Sequence, residues 1–153
     1  MIDLFNEMIF YNFKGMTEDR LVVLSQDVFE YTIRPSIFEG TMDLIEKCKV
    51  AGLRVVLVTG SLDLTVKPLA EHLGVSDIIA NHLEFKDNKA TGRLLRPVVA
   101  GPGKARLIAD DACVHGDDLG DCFAYSDSFS DVPMLSVVGH PFCVRCSANS
   151  APQ

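Results

Sequence analysis

The run at residues 53–58, Leu-Arg-Val-Val-Leu-Val, limits the folds open to this chain more than any other stretch. It is short and almost continuously apolar, so both faces of the segment need cover. That is the situation of a strand in a parallel sheet flanked by helices; a strand with one wet face would alternate instead. The surrounding segments agree. Thr41–Val50 has the period of an amphipathic helix, closed by Gly52. A further helix is predicted to about Leu73, with Gly74 as its stop and Pro68 inside it, which predicts a kink or a helix in two pieces. The stretch Asp-Ile-Ile-Ala-Asn from residue 77 reads as a strand, followed by a hairpin turning at Asp87-Asn88. Gly103 opens another helix, and residues 122–126 and 141–146 are the last two strand candidates. Helices alternating with buried strands predict an α/β fold with a mostly parallel sheet.

The first 35 residues differ. Ile2, Leu4, Phe5, Met8, Ile9 and Phe13 are spaced closer to a helix than to a strand, and Gly15 ends that element. Thr17 is the expected N-cap of a second helix, with Glu18 and Asp19 favouring its dipole. That helix is predicted to reach about Tyr31 and to stop before Pro35. The expected organisation is therefore a helical segment over residues 1–35 and an α/β core over residues 36–153.

With 153 residues, 48% of them hydrophobic, the chain can bury a real core in one domain. Its net charge of −7 argues against a nucleic-acid partner, which rewards clustered Lys and Arg. No apolar run approaches the roughly 20 residues that span a bilayer, and Met1-Ile2-Asp3-Leu4-Phe5 lacks the marks of a signal peptide, so no membrane partner is expected. Five scattered cysteines suit a reducing cytoplasm. Cys143 and Cys146 form a Cys-x-x-Cys without a second pair to complete a zinc site, and His72, His82, His115 and His140 receive no chemistry. Asp110-Asp111 and Asp117-Asp118 read as a solvated helix end and a loop.

Ligands of open α/β sheets bind beyond the carboxyl ends of the strands, and two such ends carry polar groups. The first is Thr59-Gly60-Ser61. A hydroxyl beside free N–H groups at a helix start makes an anion site, though the same three residues also serve as a plain turn with Ser61 as cap. The second is Phe-Ala-Tyr-Ser-Asp-Ser-Phe-Ser-Asp-Val-Pro-Met-Leu at residues 123–135, which places Asp127 at a strand tip and Asp131 before a helix with Pro133 in its first turn. Two converging carboxylates suit Mg²⁺, which binds through one or two of them plus phosphate oxygens; solvated loop aspartates read the same way. Lys104 stands at a helix start, where its charge opposes the dipole; an anion or neighbouring carboxylate would offset that, though a freely solvated lysine reads the same way.

Taken together, these pieces resemble the haloacid dehalogenase-like superfamily, and within it the phosphoserine-phosphatase-like branch. Its second motif is similar to Val-Val-Leu-Val-Thr-Gly-Ser at residues 55–61, its third to Gly-Pro-Gly-Lys-Ala-Arg-Leu-Ile at 101–108, and its fourth to the aspartate loop at 124–135. The resemblance implies a Rossmann-like α/β core and Mg²⁺-dependent hydrolysis of a small phosphorylated substrate, a phosphate monoester, through an aspartyl-phosphate. It implies that Thr59, with Gly60 and Ser61, binds the phosphoryl group. Lys104 would offset its charge, Asp127 would be the metal ligand, and Asp131 would support the metal or Lys104. The family's first motif, Asp-x-Asp after a central strand, has no counterpart among the 14 aspartates of the sequence. Residues 1–35 resemble the helical cap that follows that motif, so the chain is expected to begin inside the cap. Without the nucleophile it is expected to be inactive as written, and its unpaired strand edges are expected to favour self-association. The rival expectation is an inactive relative that binds a phosphorylated ligand or a protein.

Overall fold

Two prolines test the helix assignments first. In a computed structural model, which describes residues 8–144, Pro35 does not end the second helix. Thr17 caps it as expected, its hydroxyl accepting the Arg20 N–H at 3.4 Å, and helix α1 runs over Glu18–Val28. The winding then widens to a π-turn over Phe29–Ile33 and tightens to a 3₁₀ turn over Arg34–Ser36. In continuous α winding the Pro35 ring would meet the carbonyl four residues back; the change of pitch avoids this. Pro68 likewise sits inside a single helix, α3 over Asp63–Leu73, so of the two expected outcomes, a kink or a helix in two pieces, the second does not occur. Pro68 is buried, and its packing offsets the hydrogen bond it cannot donate.

The remaining elements follow the sequence closely. Helix α2 spans Thr41–Val50, strand β1 Val56–Leu62, β2 Asp77–Asn81, β3 Leu83–Lys86 and β4 Lys89–Leu94. Asp87 and Asn88 both have positive φ, 51° and 58°, which is the turn that matches the twist of a two-residue hairpin. Helix α4 spans Pro102–His115, β5 Phe123–Ser126, the short α5 Val132–Leu135 and β6 His140–Cys143. Asp110 and Asp111 therefore lie within α4 rather than at its end, facing Arg106 at 3.9 Å and His115 at 3.4 Å respectively. Strands β1 and β2 pair in parallel, as do β5 and β6, while β3 and β4 form the antiparallel hairpin. The fold is thus mixed α/β with parallel strand pairs. Residues 1–7, at the start of the first expected helix, and 145–153, with Cys146, lie outside the described residues.

Contacts divide the chain into two compact units, Met1–Val98 and Val99–Gln153. In the first, Phe10, Leu21, Leu62, Leu83 and Ala90 form one buried cluster, and Ile45, Leu73 and Val75 form another. α1 packs on α3, so the helical start of the chain shares a core with the β1–β2 pair. In the second unit α5 packs against α4 and β5, with Met134 buried. That packing carries Asp131, the residue before α5, to the start of α4.

Candidate functional site

The aspartate loop and Lys104 meet in the second unit. Gly101 precedes α4, and Pro102 occupies its first position, where a missing N–H costs nothing. Lys104 is the third residue of the helix, against the positive end of its dipole. Its ammonium Nζ donates to Asp131 Oδ1, a charge-assisted bond. Both side chains are largely withdrawn from water, at 11% and 14% exposure. The second carboxylate oxygen accepts the Ser126 hydroxyl at 2.7 Å, and Ser126 Oγ in turn accepts the Ser128 N–H at 3.1 Å. Ser126 is the buried last residue of β5, so the strand end, the loop and the helix start are tied through one carboxylate. The expected partner of Lys104 is Asp131.

Asp127 is different. It is exposed and makes no hydrogen bond or ion pair with the other described residues. Among the described residues no three His, Cys, Asp or Glu side chains gather into a metal cage. The donor set still fits a magnesium ion, because Mg²⁺ keeps most of its waters and needs only one or two carboxylates beside phosphate oxygens. Both oxygens of Asp131 are engaged by Lys104 and Ser126, which leaves Asp127 as the open carboxylate of the loop.

Thr59, Gly60 and Ser61 belong to the first unit, and here one detail departs from expectation. β1 does not end at Val58 but runs on to Leu62, and Leu62, not Ser61, is the N-cap of α3. Val58 pairs with Ile79 and Leu62 with Asn81, so β1 takes four steps where β2 takes two. The surplus residues bulge out of the ladder at the strand's carboxyl end. The ladder pairs at Val58 and Leu62 flank this segment, and within it Thr-Gly-Ser keeps a turn bond of its own. Thr59 Oγ1 accepts the Ser61 N–H at 3.1 Å. The Asn81 side chain donates to the Gly60 carbonyl at 2.7 Å.

Asn81 and Ser126 are site residues that the sequence reading passed over. Each ends an apolar strand with a polar side chain, and that position was the available signal. Cys48, Cys113 and Cys122 are thiols outside any disulfide, while Cys143 is disulfide-bonded. No helix among the described residues is long and apolar enough to cross a membrane.

The architecture and the motifs have known counterparts. A sequence model of haloacid dehalogenase-like hydrolases matches residues 3–136. Phosphoserine phosphatase SerB1 of Mycobacterium tuberculosis is 35% identical over 135 residues, 88% of this chain and 44% of that protein. The inhibition of morphological differentiation protein of Streptomyces azureus is 38% identical over 132 residues, 86% of this chain and 48% of its own length. The chain thus spans less than half the length of either relative. Among solved structures, a Bordetella pertussis Tohama I protein of unknown function superposes with a TM-score of 0.86 at 26% identity, over 97% of this chain and 68% of that one. A phospho-aspartyl intermediate analogue of phosphoserine phosphatase superposes with a TM-score of 0.67 at 26% identity, over 90% and 62%.

Proposed function

The chain belongs to the haloacid dehalogenase-like hydrolases, in their phosphoserine-phosphatase-like branch, and from that premise we propose that it carries the electrostatic part of a phosphatase site for a small phosphate monoester. The observation that carries this reading is the Lys104–Asp131–Ser126 network. A lysine held against a helix dipole by a withdrawn carboxylate is an expensive arrangement, and a fixed cation is what a transferring phosphoryl group needs. Thr59 donates its hydroxyl to a phosphoryl oxygen, and the Gly60 N–H and the Ser61 hydroxyl add neutral donors, the Ser61 N–H being held by Thr59 Oγ1. Lys104 supplies fixed positive charge, and Asp131 holds that ammonium in place. Asp127 would hold magnesium, which when bound offsets charge on the phosphoryl oxygens. Residues 1–35 are read here as part of a helical cap segment, and residues 36–153 as the core.

The family chemistry also needs an attacking aspartate, and these 153 residues contain no Asp-x-Asp pair. Turnover therefore requires that group in addition to them, since phosphate monoesters are among the slowest esters to hydrolyse unaided. The same observation favours a second reading, in which the chain binds a phosphorylated ligand without hydrolysing it. Fusing an apolar strand ending in Asp-x-Asp ahead of Met1 separates the two. Magnesium-dependent release of phosphate from an aryl phosphate, abolished by Asp127→Asn and reduced on the order of a hundredfold by Lys104→Ala, is the expected result. A folded fusion without activity, or with activity indifferent to Lys104, refutes the phosphatase assignment. The chain alone is expected to show no turnover on the same substrate.

A further inference from the structure

We propose that Asn81 is the positioning residue of the loop at residues 59–61, setting the direction in which Thr59 offers its hydroxyl proton. Asn81 is 1% exposed, and a carboxamide is costly to bury unless it is hydrogen-bonded. It reaches across 21 residues to the Gly60 carbonyl at 2.7 Å. In a trans peptide the carbonyl and the following N–H point to opposite sides. Anchoring the Gly60 carbonyl therefore also aims the Ser61 N–H, which is bound to Thr59 Oγ1 at 3.1 Å. With that oxygen accepting from Ser61, the remaining hydrogen-bonding capacity of Thr59 includes its one O–H donor, turned away from Ser61. The residue after Asn81 ties the start of the helix that follows the segment, His82 Nδ1 lying 2.9 Å from Asp63 Oδ2 at the first residue of α3. Without such ties the surplus residues between Val58 and Leu62 have no ladder partners of their own, and the loop would sample several peptide orientations.

The binding half of this inference rests on the phosphoryl-site reading, whereas the positioning half does not. Two measurements on the 153-residue chain keep them apart. Amide hydrogen exchange by NMR reports the loop directly. Asn81→Ala and the gentler Asn81→Ser are expected to speed exchange at Ser61 about tenfold, with Val58 and Ile79 changed less than about twofold. A purely structural role would instead loosen all three together, and that result, or an unchanged Ser61, overturns the proposal. Titration with inorganic phosphate, followed by the same amide signals, is expected to show binding weakened about tenfold in both variants, comparable to Thr59→Val. Variants that bind phosphate like the parent chain also overturn it. If the parent chain ignores phosphate while Ser61 exchange still responds to Asn81, the positioning role stands and the phosphoryl-site reading falls.

Discussion

Lys104→Met decides between a buried, working lysine and a freely solvated one by the sign of its effect. A solvated lysine at the third position of α4 opposes the helix dipole, so removing its charge would stabilise the protein by about 0.3–1 kcal/mol. The structure places it otherwise. Its side chain and that of Asp131 are 11% and 14% exposed, and deleting one partner of a buried pair costs about 3–5 kcal/mol. Residual exposure and the Ser126 hydroxyl, still 2.7 Å from Asp131, reduce that to about 2 kcal/mol. Relief of the dipole clash takes back part, leaving a net loss of about 1–2 kcal/mol. Methionine keeps the length of the stem, so little of this comes from packing. The assay is urea denaturation followed by circular dichroism, at low and high salt. Because the pair is withdrawn from water, the loss should persist in high salt. A cycle with Asp131→Asn should return a coupling of about 1–2 kcal/mol between the two positions. A more stable Lys104→Met variant, or a coupling below about 0.5 kcal/mol, would refute the pairing argument.

Three further outcomes follow from other parts of the molecule. Lys49 Nζ donates to the carbonyls of Leu73 and Gly74 at 3.2 and 2.6 Å, closing the C-terminus of α3, so Lys49→Met should cost about 0.5–1.5 kcal/mol in the same denaturation assay; an unchanged midpoint counts against the cap. A Cβ on Gly139 would lie 1.7 Å from the Gly120 carbonyl oxygen, so Gly139→Ala must move backbone and should lose more than about 3 kcal/mol or fail to accumulate as soluble protein; parent-like melting would show that this approach relaxes freely. Among the described residues β1 and β5 each pair with a single strand, so the chain should self-associate with rising concentration in light scattering coupled to size exclusion; a concentration-independent monomer with a cooperative melt refutes this.

Local chemistry alone determined much of this molecule. Asp87-Asn88 needed only the two residues' tolerance of positive φ to declare a hairpin, and Thr17 needed only its hydroxyl and the acids behind it to start α1. The alternation of apolar runs with helical periods was enough for an α/β fold with parallel strands, because burial on both faces is written into the residues themselves. Lys104 at a helix start favoured a negative partner on electrostatic grounds, and the family resemblance had already offered Asp131. Other features depend on groups far apart in the chain, and only the tertiary structure settled them. Pro35 was read as a stop because its clash is local, yet a change of helical pitch absorbs it. Ser61 was read as a cap because its hydroxyl is local, yet pairing with β2 draws it into the strand and passes the cap to Leu62. Asn81 and Ser126 acquire their roles from partners 21 and 5 residues away, across a bulge and a turn. Propensities act within a few residues and can be read from them. A side-chain hydrogen bond takes its direction from where the folded backbone puts both ends, and no single stretch of sequence holds that information.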